Sequence, residues 1–128
     1  MRTESSPFRF ARVGFLLLAW LFSASVALQV FLAGLALFVD SSNWSSHMSF
    51  ARYFSFLPLL MAVLARTARL PSRLIWRCIG LFGMILGLFL TAIFSSRIGG
   101  LAALHPVIAL LLFWVSLDII RSKKQQAQ

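Results

Sequence analysis

The sequence predicts an all-α polytopic membrane protein, with four transmembrane helices in an up-down-up-down bundle and both termini cytoplasmic. Three observations carry this. Hydrophobic residues make up 60% of the 128-residue chain and the mean hydropathy is +0.90, beyond an ordinary soluble domain. The apolar residues fall in four long runs rather than in amphipathic stripes. The charge is lopsided, 12 Lys+Arg against 3 Asp+Glu, and the basic residues cluster at the ends of alternate runs.

Segment one covers about residues 13–39, from Val13 to Val39 between Arg12 and Asp40. At ~1.5 Å per residue it reaches roughly 40 Å, enough to span a bilayer with tilt. Arg9, Arg12 and the stretch Ser23-Ala-Ser25-Val-Ala27 resemble a secretory leader, but the apolar run continues to Val39, so the segment reads as a retained anchor. A serine-rich turn follows, in which Ser45 or Ser46 is placed to cap the next helix. Segment two covers about residues 47–65 and holds Pro58, which removes a backbone donor and predicts a kink. A basic hairpin with Arg66, Arg69, Arg73 and Arg77 leads to segment three, about residues 78–96. The pair Gly99-Gly100 predicts a turn into segment four, about residues 101–120. No linker divides the chain, so residues 1–128 read as a single membrane domain.

Orientation follows from counting. The N-terminus (Arg2, Arg9, Arg12), the middle hairpin and the tail (Arg121, Lys123, Lys124) carry ten of the twelve basic residues. The other side keeps Arg52 and Arg97 with Asp40, and Trp44 and Tyr53 for an outer aromatic belt, with Trp76 for an inner one. The basic clusters thus mark orientation and, by default, contacts with anionic lipid headgroups rather than nucleic acid. Small residues at four-residue spacing, Ala19-Ser23-Ala27 and Gly83-Gly87 with Gly80, predict helix contact faces.

Few residues could carry chemistry. One cysteine, Cys78, leaves no internal disulfide or cysteine-based zinc site and reads as a small apolar residue. There is no glycine-rich phosphate loop, no paired carboxylates and no Ser/His/Asp set, so a self-contained hydrolase or nucleotide enzyme is excluded as a reading. Asp118 is expected to pair with an arginine at the inner end. Gln29 falls near the bilayer midplane, where an amide must be bonded; a backbone carbonyl or Thr91 would satisfy it, and a bound cofactor is the alternative.

His47 and His105 open segments two and four, at similar depth below the outer face. Alternate helices of a four-helix bundle lie diagonally opposite, so two such imidazoles can ligate haem iron from both faces. Arg52 and Arg97 lie on that side, where propionates would take cations, and Ala109 one turn below His105 leaves room for a porphyrin edge. The plain reading stands beside this one. His105-Pro106 is a natural helix start, and His47 follows a polar loop as an interfacial residue would.

Leu28-Gln29-Val-Phe-Leu-Ala-Gly34, the histidine opening segment two, and Leu104-His105-Pro106-Val107 with Ala109 resemble an uncharacterised family of small bacterial four-helix membrane proteins. More distantly, histidines heading segments two and four are similar to half of the haem A synthase bundle and to other b-type cytochrome bundles. That resemblance implies axial ligation by His47 and His105; the further histidines and acids of those proteins have no counterparts in this chain.

The expectation is a small b-type cytochrome-like protein of a bacterial inner membrane, an electron carrier rather than an autonomous enzyme. Its site would be haem b on His47 and His105 as metal ligands, with Arg52, Arg97 and Gln29 around it. The alternative is a cofactor-free accessory subunit of a respiratory or photosynthetic complex, packed against other membrane subunits. A third possibility has the histidines hold a chlorin pigment.

Overall fold

The structure, a computed structural model, describes residues 6–125, with side chains from Pro7 to Ser122. Arg2 and the side chains of Lys123 and Lys124 lie outside the described set. Among the described residues all regular structure is helical. α1 (Ser6–Phe38) forms the first span, α2 (Asn43–Phe54) and α3 (Leu57–Thr67) the second, and α4 (Ser72–Ile93) the third. A short α5 (Ser95–Ile98), a 3-10 helix (Gly99–Ala103) and α6 (Leu104–Gln125) form the fourth. The stretches Pro7–Phe38, Asn43–Thr67, Ser72–Ile93 and Ser95–Ser122 are each long and apolar enough to cross a membrane.

The helices begin earlier than hydropathy alone places them. α1 takes in Arg9 and Arg12, and α4 starts at Ser72, taking in Arg73 and Arg77. Charged residues at the ends of apolar runs remain good helix formers, so the helix outlasts the hydrophobic stretch. The Gly99-Gly100 turn is instead a helical connection, in which Gly99 takes φ 54° between α5 and the 3-10 segment. The cap of α2 also differs from expectation. Ser42 occupies the N-cap without a side-chain cap bond, and Ser45 donates back to the Ser42 carbonyl at 2.8 Å. The turn is closed by Asp40, whose Oδ1 accepts from the Ser42 amide at 2.8 Å and whose carbonyl accepts from the Asn43 side chain at 2.9 Å. The Ser42 amide, helped by its hydroxyl, holds the Asp40 carboxyl below the usual carboxylate range.

α1 packs on α2, α3 and α6, while α4 packs on α3 and α6. The spans thus form a closed square with the second and fourth on a diagonal. The second span breaks at Ser55-Phe56. Pro58 has no N–H to donate to Phe54, and the chain re-enters helix with Leu59 and Leu60 both donating to the Phe56 carbonyl. The break separates two packing regimes. α3 lies against both α1 and α4, whereas α2 packs chiefly on α1.

One half of the bundle is therefore dense and the other open. The dense half, beside the α3–α4 hairpin, buries Phe15, Phe22, Met61, Leu74, Leu81 and Ile119 completely. There the Ser23 hydroxyl is shared between the Ala19 carbonyl and Ser116 Oγ, at 3.0 and 2.9 Å, tying α1 to α6. Ala19 and Ser23 are buried as the small-residue spacing predicts, but Ala27 is exposed. The glycine stripe of α4 faces away from the bundle. A Cβ at Gly80 or Gly83 would meet nothing within 4 Å, and Gly87 alone of the three approaches a neighbour, Ile108. The close approach falls at Gly14, where a Cβ would sit 3.3 Å from Leu64.

The two ends of the described chain and the α3–α4 hairpin meet at one end of the bundle. Arg69 lies over the Phe8 ring at 4.6 Å. Arg77 pairs with Asp118 at 2.6 Å and reaches Ser122 Oγ at 3.3 Å. Asp118 takes an arginine of this end, as expected, and the one it takes is on the facing helix rather than neighbouring Arg121.

Candidate functional site

The open half holds a cavity of about 320 Å³, walled by all four spans. This is the lower end of the ~300–1,000 Å³ range of small-molecule sites. Val30, Met48 and Leu110 line it and are each more than half exposed, so it opens sideways between the helices. Its depth follows from the kink. α2 leans on α1, leaving space between it and the Leu88-to-Ala92 face of α4.

The polar residues on the cavity wall are Gln29, His47 and His105, one each from α1, α2 and α6. All three are sequence-predicted site residues, and the fold brings them together. Ala109 lines the cavity one turn below His105, as the spacing predicts. Arg52 and Arg97 are exposed and are not part of the wall. No charged side chain among the described residues lines the cavity.

Each imidazole is held the same way. His47 Nδ1 lies 3.1 Å from the Gln29 carbonyl. His105 Nδ1 lies 3.1 Å from the Leu88 carbonyl and 3.0 Å from Thr91 Oγ1. A carbonyl has no hydrogen to give, so each contact requires the proton on Nδ1. Both Nε2 atoms are then left as bare lone pairs, the state in which imidazole binds a metal. Thr91 donates its own hydrogen to the Leu88 carbonyl at 2.9 Å and so accepts from His105. The Trp44 indole lies edge-on to His47, with ring centroids 5.5 Å apart, and packs one side of the imidazole.

Gln29 completes the set. Its Nε2 donates to the His47 carbonyl at 2.7 Å, which fixes the amide orientation, and its Oε1 is buried with no partner. The expected backbone-carbonyl partner is therefore present, and Thr91 serves His105 instead. Sequence reading missed Thr91 and the Leu88 carbonyl as the support of His105. Their i, i+3 spacing on α4 was visible, but which helix they face depends on a rotation that the lipid-facing apolar residues do not specify.

The two imidazoles and the Gln29 side chain lie on the wall of an otherwise apolar space, to which no charged side chain among the described residues contributes. It suits a ligand bound by coordination to nitrogen rather than by ion pairing. No group of three or more His, Cys, Asp or Glu side chains able to hold a metal by themselves occurs among the described residues. A metal here would need most of its ligands from elsewhere, as a macrocycle supplies them.

Comparison with known proteins returns no match among curated proteins or solved structures, and the likeness to haem A synthase finds no support there. One family model matches residues 29–96, just over half of the chain. The matched stretch opens on Gln29, includes His47, Leu88 and Thr91, and stops short of His105. By that match, over the part of the fold that builds three walls of the cavity, the chain belongs to DUF6220, a family of unknown function.

Proposed function

We propose that the protein is a small b-type cytochrome-like electron carrier, with one haem b ligated by His47 and His105. The observation that carries this reading is the shared tautomer: two Nδ1–H groups engaged by main-chain carbonyls leave two Nε2 lone pairs on one cavity. Span order supports it, because the second and fourth spans, which carry the histidines, lie on a diagonal of the bundle. His47 and His105 would hold the haem in a low-dielectric space, and the haem would supply one-electron redox chemistry. By the distribution of basic residues, the chain would sit in a bacterial inner membrane with its termini cytoplasmic, the haem near the outer face, and anionic lipid at the basic end.

The test is the visible spectrum of the purified protein, oxidised and dithionite-reduced, after supply of haem. A sharp reduced alpha band lost in both His47→Ala and His105→Ala supports the assignment. A band that survives both substitutions removes it.

A second reading draws on the outward-facing glycines. Gly80 and Gly83 leave the α4 backbone bare on the outside of the bundle, where another subunit's helix would pack closely. In that reading the protein is a cofactor-free accessory subunit, and it remains colourless after haem supply.

A further inference from the structure

We infer that the cavity takes a lipid-dissolved quinol, a ring with two para hydroxyl groups, which donates one O–H to His47 Nε2 and the other to His105 Nε2. This rests on the cofactor-free reading above and names the ligand of its cavity, a mobile lipid rather than a resident cofactor. Haem and quinol claim the same two nitrogens, so the two readings exclude each other. Three observations carry the inference: the side on which the cavity opens, the lack of charge on its described wall, and the kind of hydrogen-bonding atom that a ligand can reach there.

Val30, Met48 and Leu110 at the opening are apolar and more than half exposed. In a bundle that crosses a bilayer such an opening faces hydrocarbon, so the ligand arrives dissolved in lipid. Among the described residues no charged side chain reaches the wall. An ion in this space has no counter-charge, so the ligand is neutral. Ala51, Ala92 and Ala109 leave room on the wall, and Phe54 and Phe89 give it aromatic faces suited to a flat ring.

The reachable polar atoms are acceptors. The two Nδ1 hydrogens are taken by the Gln29 and Leu88 carbonyls. Gln29 Oε1 is sealed off by its neighbours, whereas neither imidazole Nε2 is buried out of reach. The histidines thus offer a ligand two bare nitrogen lone pairs. A quinol has two O–H groups to give them. Its oxidised form, the quinone, has two carbonyls that only accept, and these meet the lone pairs with like partial charge. The second and fourth spans lie on a diagonal of the bundle, and the hydroxyls of a para-quinol lie on opposite edges of its ring. The site therefore prefers the reduced form, by roughly two- to tenfold for each hydrogen bond.

The experiment uses the full-length protein in phospholipid nanodiscs, without added haem and with its histidines labelled with nitrogen-15. A decyl-tailed benzoquinol is titrated in without oxygen, beside its quinone and its dimethyl ether, which keeps the ring and tail and has no O–H. Uptake by empty nanodiscs is subtracted. The expected result is a quinol affinity about tenfold or more above that of either analogue. Both Nε2 resonances should shift with quinol and stay in place with the ether. His47→Phe and His105→Phe should each lower quinol affinity by roughly two- to tenfold and leave the ether unchanged. The comparison of the three ligands in the unmodified protein needs no variant to fold. Equal affinities there, unmoved Nε2 resonances, or quinol binding unchanged in both variants overturns the inference and leaves the cofactor-free reading standing. So does a failure of all three to bind, the result expected if a phospholipid acyl chain fills the space. A reduced haem alpha band that is lost in both His47→Ala and His105→Ala overturns the cofactor-free reading and the inference with it.

Discussion

Gln29 and His47 hold each other by two hydrogen bonds that run in opposite directions. The Gln29 side chain donates to the His47 carbonyl at 2.7 Å, and the His47 ring donates to the Gln29 carbonyl at 3.1 Å. Together they clip α2 to α1 at the level where α2 has little other support. The same amide leaves Oε1 buried and unpaired. Gln29→Leu removes one interhelical bond, worth roughly 0.6–1.7 kcal/mol in a membrane protein. It also removes an orphan acceptor, whose burial costs roughly 1–3 kcal/mol. The two oppose each other, so the ligand-free protein should change stability by less than about 1 kcal/mol in reversible SDS unfolding. A loss above ~3 kcal/mol would mean that Oε1 has a partner in the folded protein.

His105 has a second acceptor that His47 lacks. Its Nδ1–H is shared between the Leu88 carbonyl and Thr91 Oγ1. Hydrogen bonding at Nδ1 raises the basicity of a metal-bound imidazole and stabilises the ferric state. Thr91→Val keeps the shape and removes the hydroxyl, so under the proposed haem ligation the variant should bind haem with its midpoint potential shifted upward. Thr91→Ser should restore the original potential. A potentiometric titration of the three proteins decides this, and an unmoved midpoint in Thr91→Val would assign the hydroxyl to helix packing alone.

The four spans were legible because hydrophobic length and basic clusters are properties of the chain itself. The pairing of Asp118 with an arginine of its own end was legible for a similar reason, since a lone acid among cations has few other partners. That His47 and His105 would lie on one cavity was legible as depth, from their positions at the heads of two segments. Rotation was not. Lipid and protein interior are both apolar, so hydropathy does not say which face of α4 turns inward. Gly80 and Gly83 were expected at a helix contact and face outward. Arg52 was expected beside a cofactor; it lies in the last turn of α2, exposed and off the cavity wall. The cavity itself was foreshadowed only by Pro58.

Pro58 sets the size of the cavity. Without an N–H at residue 58, the Phe54 carbonyl loses its helical partner and α2 leaves the line of α3. Pro58→Ala restores the donor and favours a continuous helix through Ser55 and Phe56. A straighter second span brings α2 toward α4 and narrows the space between His47 and His105. The variant should be at least as stable as the parent and, under the proposed haem ligation, bind haem at least tenfold more weakly. Spectral titration beside the unfolding curve separates the two effects. Equal affinity in Pro58→Ala would show that packing on α1, rather than the missing bond, holds α2 in place.

At the opposite end, Arg69 occupies a backbone position that ordinarily belongs to glycine. Its φ is 53°, and the Leu70 amide donates to the Ala65 carbonyl at 2.9 Å, so α3 ends in a Schellman-type turn. A left-handed conformation costs a residue with a Cβ about 1–2 kcal/mol. The side chain returns part of this through its contact with Phe8, roughly 0.5–1 kcal/mol at an exposed site. Arg69→Gly relieves the first and loses the second, so it should fall within about 1 kcal/mol of the parent. Arg69→Ala keeps the strained backbone and loses the ring contact, so it should be the less stable of the two by about 1 kcal/mol. Phe8→Leu isolates the contact, and adding it to Arg69→Gly should then cost little beyond its own packing. Unfolding free energies of this set test the ranking, and an Arg69→Ala variant as stable as Arg69→Gly would place the turn outside the left-handed region.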